Sequence, residues 1–297
     1  MDRFPSRQRS APATLERRVT AVVAARSAAP AALDLCLRSA MAEPWIDDIL
    51  VVDQGDDPAI SSTLRALQAD RRDLRIVHAE PNLSVAAAAN RGAENARGRW
   101  ILFLDPNVVL QRGAVARMAA AAAGVRAPWI VGGRLTDLNG RERPAVRAGR
   151  LTAWSALAMA VDWPAPKPFR PHRRKDRSAP RDPAKVAAVS SSFMLIPRSD
   201  FQGLEGFDEK FATHGADLDL CRRAADAGGS VLFQPEAAGV QFAAASARPR
   251  EAQGLALFMS KSAKTPFQKV FALIAGPAFA VLVAARDLVA GRPPIRR

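Results

Sequence analysis

Two apolar rhythms alternate along the chain. Short runs such as VTAVVAA (19–25), IDDILVVD (46–53), LRIVHA (74–79) and WILFL (100–104) carry apolar, often β-branched residues at successive positions, which marks strands buried on both faces. Between them the apolar positions fall at helical spacing. Leu33, Leu37 and Met41 repeat every four residues after Pro30, Asp57-Pro58 opens a helix to about Ala69, and Ser84 caps an Ala-rich one. This alternation predicts an α/β fold, a mostly parallel sheet flanked by helices.

Ligands of such sheets bind beyond the carboxyl ends of the strands. Asp53 and Asp105 each close an apolar strand run, so both point to that edge and to one crevice. The stretch ILFLDPN (101–107) has two readings: a buried strand with an ordinary turn, or a strand that delivers Asp105 and Asn107 to a metal and a phosphate. Asp53 likewise reads either as a turn residue before Gly55 or as a ligand contact. With 297 residues, 48% of them apolar and 24% charged, the chain can bury a sizeable core and is not disordered.

Six segments in order change the balance. VVDQGDD (51–57), PNLSVAAAANRG (81–92), FLDPN (103–107), SSFMLIPRSDF (191–201), GFDEKF (206–211) and ADLDLCRRAADAG (216–228) together resemble the family-2 glycosyltransferases, in particular the rhamnosyltransferase-like branch. The resemblance covers roughly residues 18–242 and implies a GT-A-type, Rossmann-like sheet with a C-terminal helical extension. It implies an inverting enzyme that moves a sugar from a nucleoside-diphosphate donor to a hydroxyl acceptor in cell-surface polysaccharide or glycolipid assembly. Its partners would be a nucleotide-sugar and a glycan or lipid-linked acceptor, and its cofactor Mg²⁺ or Mn²⁺.

Carried onto this sequence, the family pattern makes Asp53 the residue that contacts the base, and the segment from Asn82 through Asn90 to Gly92 the helix beneath the nucleotide sugar. Asp105 and Asn107 would hold the ion and the diphosphate. Divalent ions of this kind take oxygen ligands, and one or two carboxylates suffice when substrate phosphates supply the rest. Asp217 would be the general base; the residue alone reads equally as a helix cap. Several positions depart from the pattern: Asn107 is an amide where a carboxylate is usual, Ala216 stands for Glu, Gln241 for His, Ser84 for Gly, and Arg26-Ser27-Ala28 for Thr-Tyr-Asn. A catalytically inactive member that binds nucleotide-sugar or glycan is therefore the alternative reading. Asp219 lies on a different helix face from Asp217, at pairing distance from Arg222 or Arg223.

On this basis the chain divides into a disordered tail (1–17), a transferase domain (18–245) and a C-terminal helical segment (246–297). The domain has a nucleotide-sugar half (18–130) and an acceptor half (131–245). Charge adds to the second half: of a net charge of +14, eight basic residues against two acidic ones fall in the Pro-rich loop 164–185, a solvated insertion or a contact for anionic acceptors and membrane surfaces. Nucleic acid is excluded as a partner, since the chain has no Tyr and its aromatics are not interleaved with the basic run. The apolar residues 270–285 are short for a membrane span and broken by Gly276-Pro277, which leaves a core helix or an interfacial one. Isolated Cys36 and Cys221 read as buried thiols, and the expected location is cytoplasmic, at the inner face of the plasma membrane.

Overall fold

The computed structural model of the chain describes residues 19–25, 28–55, 57–70, 73–143, 146–147, 182–212, 214–242, 248–263, 265–266 and 270. The N-terminal tail, Arg26, the basic loop as far as Arg181 and the apolar run after Val270 lie outside the described residues.

The first half follows the predicted alternation: β1 (Val19–Ala24), α1 (Pro30–Met41), β2 (Ile46–Asp53), α2 (Pro58–Asp70), β3 (Leu74–His78), α3 (Val85–Glu94) and β4 (Trp100–Leu104). Asp57 Oδ1 accepts the Ala59 N–H at 2.8 Å and Ser84 Oγ that of Ala87 at 3.0 Å, so α2 and α3 start at the expected capping residues. The chain continues through β5 (Val108–Leu110), α4 (Ala114–Ala121), β6 (Trp129–Thr136), β7 (Val146–Arg147), β8 (Ala184–Lys185), β9 (Ala188–Val189), β10 (Phe193–Pro197), α5 (Arg198–Gly203), α6 (Ala216–Asp226), β11 (Ser230–Gln241) and α7 (Arg248–Ser262).

Nine strands form the central sheet in the order β3-β2-β1-β4-β10-β6-β11-β5, with β8 beside β11, while β7 and β9 pair separately. β3, β2, β1 and β4 are parallel, and β10 enters antiparallel between β4 and β6. β6 and β11 are again parallel, so the sheet is parallel in its first half and mixed in its second. One face packs on α1, α2 and α4 through residues such as Leu33, Leu64 and Met118. The other packs on α3, α5, α6 and α7 through Ala86, Phe201, Leu220 and Phe258. Phe103, Phe201 and Phe207 meet with ring centroids 4.9–5.2 Å apart, joining β4 to the loop after α5. At the opposite, amino-terminal edge Trp100 stacks on Trp45 and meets Trp129 edge-on.

Gly92 fixes how closely α3 approaches the sheet. A Cβ there would lie 2.3 Å from Val22 Cγ1 and 3.3 Å from Val52 Cγ2. In an exposed helix Gly→Ala stabilises by about 1 kcal/mol. Here we expect the reverse: Gly92→Ala should lower the unfolding free energy by about 1–3 kcal/mol through overpacking, as read by denaturant titration.

Candidate active site at the carboxyl edge of the sheet

Asp53 ends β2 with only 3% of its surface exposed. Its Oδ1 accepts the Gly55 N–H at 2.9 Å and its Oδ2 the Ser61 hydroxyl at 2.9 Å, so both oxygens already hold the turn into α2. The next residue, Gln54, is 2% exposed, and neither amide atom has a hydrogen-bond partner among the described residues.

Asn82 and Asn90 part company. Asn82 is exposed and adopts φ 68°, a left-handed turn conformation that Asn tolerates. Asn90 sits on α3 and clamps the backbone of Phe207 from both sides: its Oδ1 accepts the Phe207 N–H at 2.9 Å and its Nδ2 donates to the Phe207 carbonyl at 2.8 Å. The same Nδ2 reaches Glu209 at 2.9 Å. The amide therefore ties α3 to the loop that precedes α6.

Beyond β4, Asp105 Oδ1 accepts both the backbone N–H of Asn107 at 2.8 Å and its Nδ2 at 3.0 Å. That bond pattern leaves Asp105 Oδ2 and Asn107 Oδ1 without a partner among the described residues. The Asn107 carbonyl accepts from Phe242, and Gln241 pairs with Val108, so the end of β11 lies against this turn. Two oxygens, one of them charged, fit a divalent ion that takes its other ligands from substrate phosphates. They do not form a closed cage, since no group of three or more His, Cys, Asp or Glu occurs among the described residues.

Asp217 stands in the first turn of α6, which Gly215 enters at φ 99°. Its Oδ1 accepts from Leu218 and its Oδ2 from the backbone of Ser191 at 3.4 Å. Ser192, the next residue, accepts the Asp105 N–H on its carbonyl at 3.0 Å. Three consecutive serines, 190–192, thus join the turn after β4 to the start of α6 and bring Asp105 and Asp217 to one place.

Beneath Asp217 lies an ion cluster. Asp219, fully buried, meets Arg223 at 2.8 Å, Lys261 of α7 at 2.9 Å and Arg222 at 3.3 Å. The pairing with α6 arginines is as expected from the sequence, whereas Lys261 is new. Lys261 also reaches Asp208 at 2.7 Å, and Arg223 donates to the carbonyls of Leu204 and Gly206. Burial pushes the Asp219 and Asp208 carboxyls up, but the Lys261 hydrogen bonds and the neighbouring cations outweigh it and hold both below the ordinary carboxylate range. α7 can approach because residue 254 is glycine; a Cβ there would lie 2.0 Å from the His214 carbonyl oxygen. Cys36 and Cys221 are buried and unpaired, as expected, and Cys36 Sγ donates to the Asp105 carbonyl at 3.5 Å.

Sequence reasoning missed Ser61, Ser191, Lys261 and Arg134. The last interrupts the apolar strand WIVGGRLT with a single half-buried cation, which was the available signal.

A model for the family described as "Glycosyltransferase like family 2" matches residues 17–265. An N-acetylglucosaminyl-diphospho-decaprenol L-rhamnosyltransferase of Mycobacterium tuberculosis is 26% identical over 46% of this chain and 45% of its own. A pre-mycofactocin glycosyltransferase of the same species is 25% identical over 63% of this chain and 36% of its own. The chain thus spans less than half the length of either curated relative. Among solved structures, GalNAc-T7 with UDP, GalNAc and Mn²⁺ superposes with TM-score 0.62 at 15% identity over 77% of this chain and 44% of that one. The mannosyltransferase PcManGT of Pyrobaculum calidifontis, with GDP-Man and Mn²⁺, gives 0.56 at 17% over 94% and 76%. These likenesses establish the GT-A fold.

The ion cluster sets an acid dependence. Carboxyls held below their unfolded value contribute stability that is fully present above about pH 4 and lost as pH falls through the folded values. Lys261→Met should lower neutral-pH stability by roughly 1.5–3 kcal/mol, the worth of a hydrogen bond to a charged group. The gap from the parent protein should narrow on acidification below that pH, as followed by denaturant titration across pH.

Proposed function

Because the chain belongs to the family-2 glycosyltransferases, we propose that it transfers a sugar, with inversion, from a nucleoside-diphosphate donor to a hydroxyl acceptor. The observation that carries this reading is the serine turn 190–192, which holds Asp105 and Asp217 on adjoining residues at one sheet edge. Asp217 is the base. Its Oδ2 has one long backbone contact at 3.4 Å, which an acceptor hydroxyl can replace as the carboxylate takes its proton. The acceptor oxygen then bonds to the anomeric carbon as the bond from that carbon to the diphosphate breaks.

Asp53 and Gln54 bound the base end of the crevice, with Asn82 in the turn ahead of α3. Asn90 acts there through the Phe207 loop. Asp105 Oδ2 and Asn107 Oδ1 would hold a divalent ion, Mg²⁺ or Mn²⁺, which neutralises charge on the departing diphosphate when bound. Both superposed structures contain Mn²⁺, which supports this assignment. The acceptor is a lipid-linked diphosphate glycan, as the name of the mycobacterial rhamnosyltransferase indicates for that protein, and polysaccharide or glycolipid assembly is the setting. Such an acceptor puts the work at the inner membrane face. The reading takes this contact as peripheral; no helix among the described residues is long and apolar enough to cross a membrane.

Asp217→Asn should cut transfer by about 10² or more while leaving nucleotide affinity unchanged, with calorimetry of UDP, dTDP and GDP as the binding measurement. Undiminished transfer in that variant would remove Asp217 from the mechanism, and a parent protein without turnover would favour the inactive, sugar-binding reading that Asn107 and Ala216 raise. Asn107→Asp should tighten Mn²⁺-dependent nucleotide binding, roughly tenfold for each 1.4 kcal/mol gained, when titrations with Mn²⁺ and with chelator are compared.

A further inference from the structure

Arg134 lies near the carboxyl end of β6, half-buried, and its Nε is enclosed without a hydrogen-bond partner. No ion pair or hydrogen bond joins its side chain to any other described residue. An N–H withdrawn from water without an acceptor is costly, and the planar fork of guanidinium donors suits phosphate oxygens. A ligand that brings an anion to Nε would remove that cost.

Its direction follows from its strand. Ile130 packs in the cluster with α6 and α7, and a Cβ on Gly132 would lie 2.4 Å from Val189 Cβ, so both face the side of the sheet that carries α6. Strand alternation puts Arg134 on that same side, one step nearer the carboxyl edge. Val189 runs directly into Ser190–Ser192, whose middle residue donates to Asp217. Arg134 therefore shares a face and a strand end with the proposed base. Its strand lies between β10 and β11, and β10 separates it from β4.

We propose that Arg134 is the anion-binding residue of the acceptor side, where it holds a phosphate group of a diphosphate-bearing acceptor while Asp217 receives the acceptor hydroxyl. This rests on the transferase reading above and names a residue for its acceptor. The same phosphate chemistry occurs in the donor, so the test separates the two sources.

Geranyl diphosphate and geraniol are titrated calorimetrically into the full chain, with and without UDP, dTDP or GDP, for the parent protein, Arg134→Gln and Arg134→Lys, after matching melting temperatures. The parent should bind geranyl diphosphate and not geraniol. Arg134→Gln should lose roughly ten- to hundredfold of that affinity, as for a lost charge-assisted hydrogen bond. Arg134→Lys should keep part of it, and nucleotide affinity should stay within about twofold in both variants. Equal losses for nucleotide and geranyl diphosphate would give Arg134 to the donor and overturn the acceptor assignment. Unchanged geranyl diphosphate binding in Arg134→Gln, or none in the parent, would overturn the site altogether. Arg134-dependent geranyl diphosphate binding by a parent that binds no nucleotide would sink the transferase reading and leave the anion site standing.

Discussion

The fully buried carboxylate of Asp219 sets the terms for the second half of the molecule. A charge in that position must be answered by cations at hydrogen-bond distance, or it would cost several kcal/mol. The chain answers it from two directions, with Arg222 and Arg223 on its own helix and Lys261 on α7. Each cation is then committed elsewhere as well. Arg223 gathers the carbonyls of Leu204 and Gly206, and Lys261 gathers Asp208. One buried charge thus registers α6, α7 and the 204–208 loop against each other.

The first half obeys a different constraint, close approach. Gly92 lets α3 lie almost on β1 and β2, and Asn90 on the same helix grips the Phe207 backbone. The two halves meet through that grip and through the serine turn that serves Asp105 and Asp217. Phe207 and the serines are engaged at the main chain, so these contacts do not depend on their side chains. Neither contact calls on a charge at Ala216 or Asn107.

The strands and helices of the first half were legible because their residues obey short-range rules: period, capping Ser84, and Asp57 ahead of Pro58. Strand ends placed Asp53 and Asp105 at one edge for the same reason. What escaped was long-range. Lys261 lies 42 positions after Asp219 in the chain, and nothing local marks it as the partner. Asn90 was read as a nucleotide-side residue from its place in a motif, while its visible bonds go to a backbone 117 positions away. The antiparallel entry of β10 was equally hidden, since FMLIP is buried at every position and looks the same in either direction. Arg134 was overlooked because one charge in an apolar strand resembles noise until its neighbours are known.

The dependence of α6 on α7 also has a temporal side. A ribosome releases the chain from the amino end, and segments that can bury their surface begin to organise as they emerge. β1 to β4 pair in one parallel run and pack on α1 to α3, all of them made before β10, so the first half can begin to assemble early. Asp219 lacks one of its cations until Lys261 has been synthesised, which comes after every other described element except the end of α7 itself. The sheet edge beside α6 is therefore the last described part to close, and a nascent chain can hold Asp53 and Asp105 in place before Asp217.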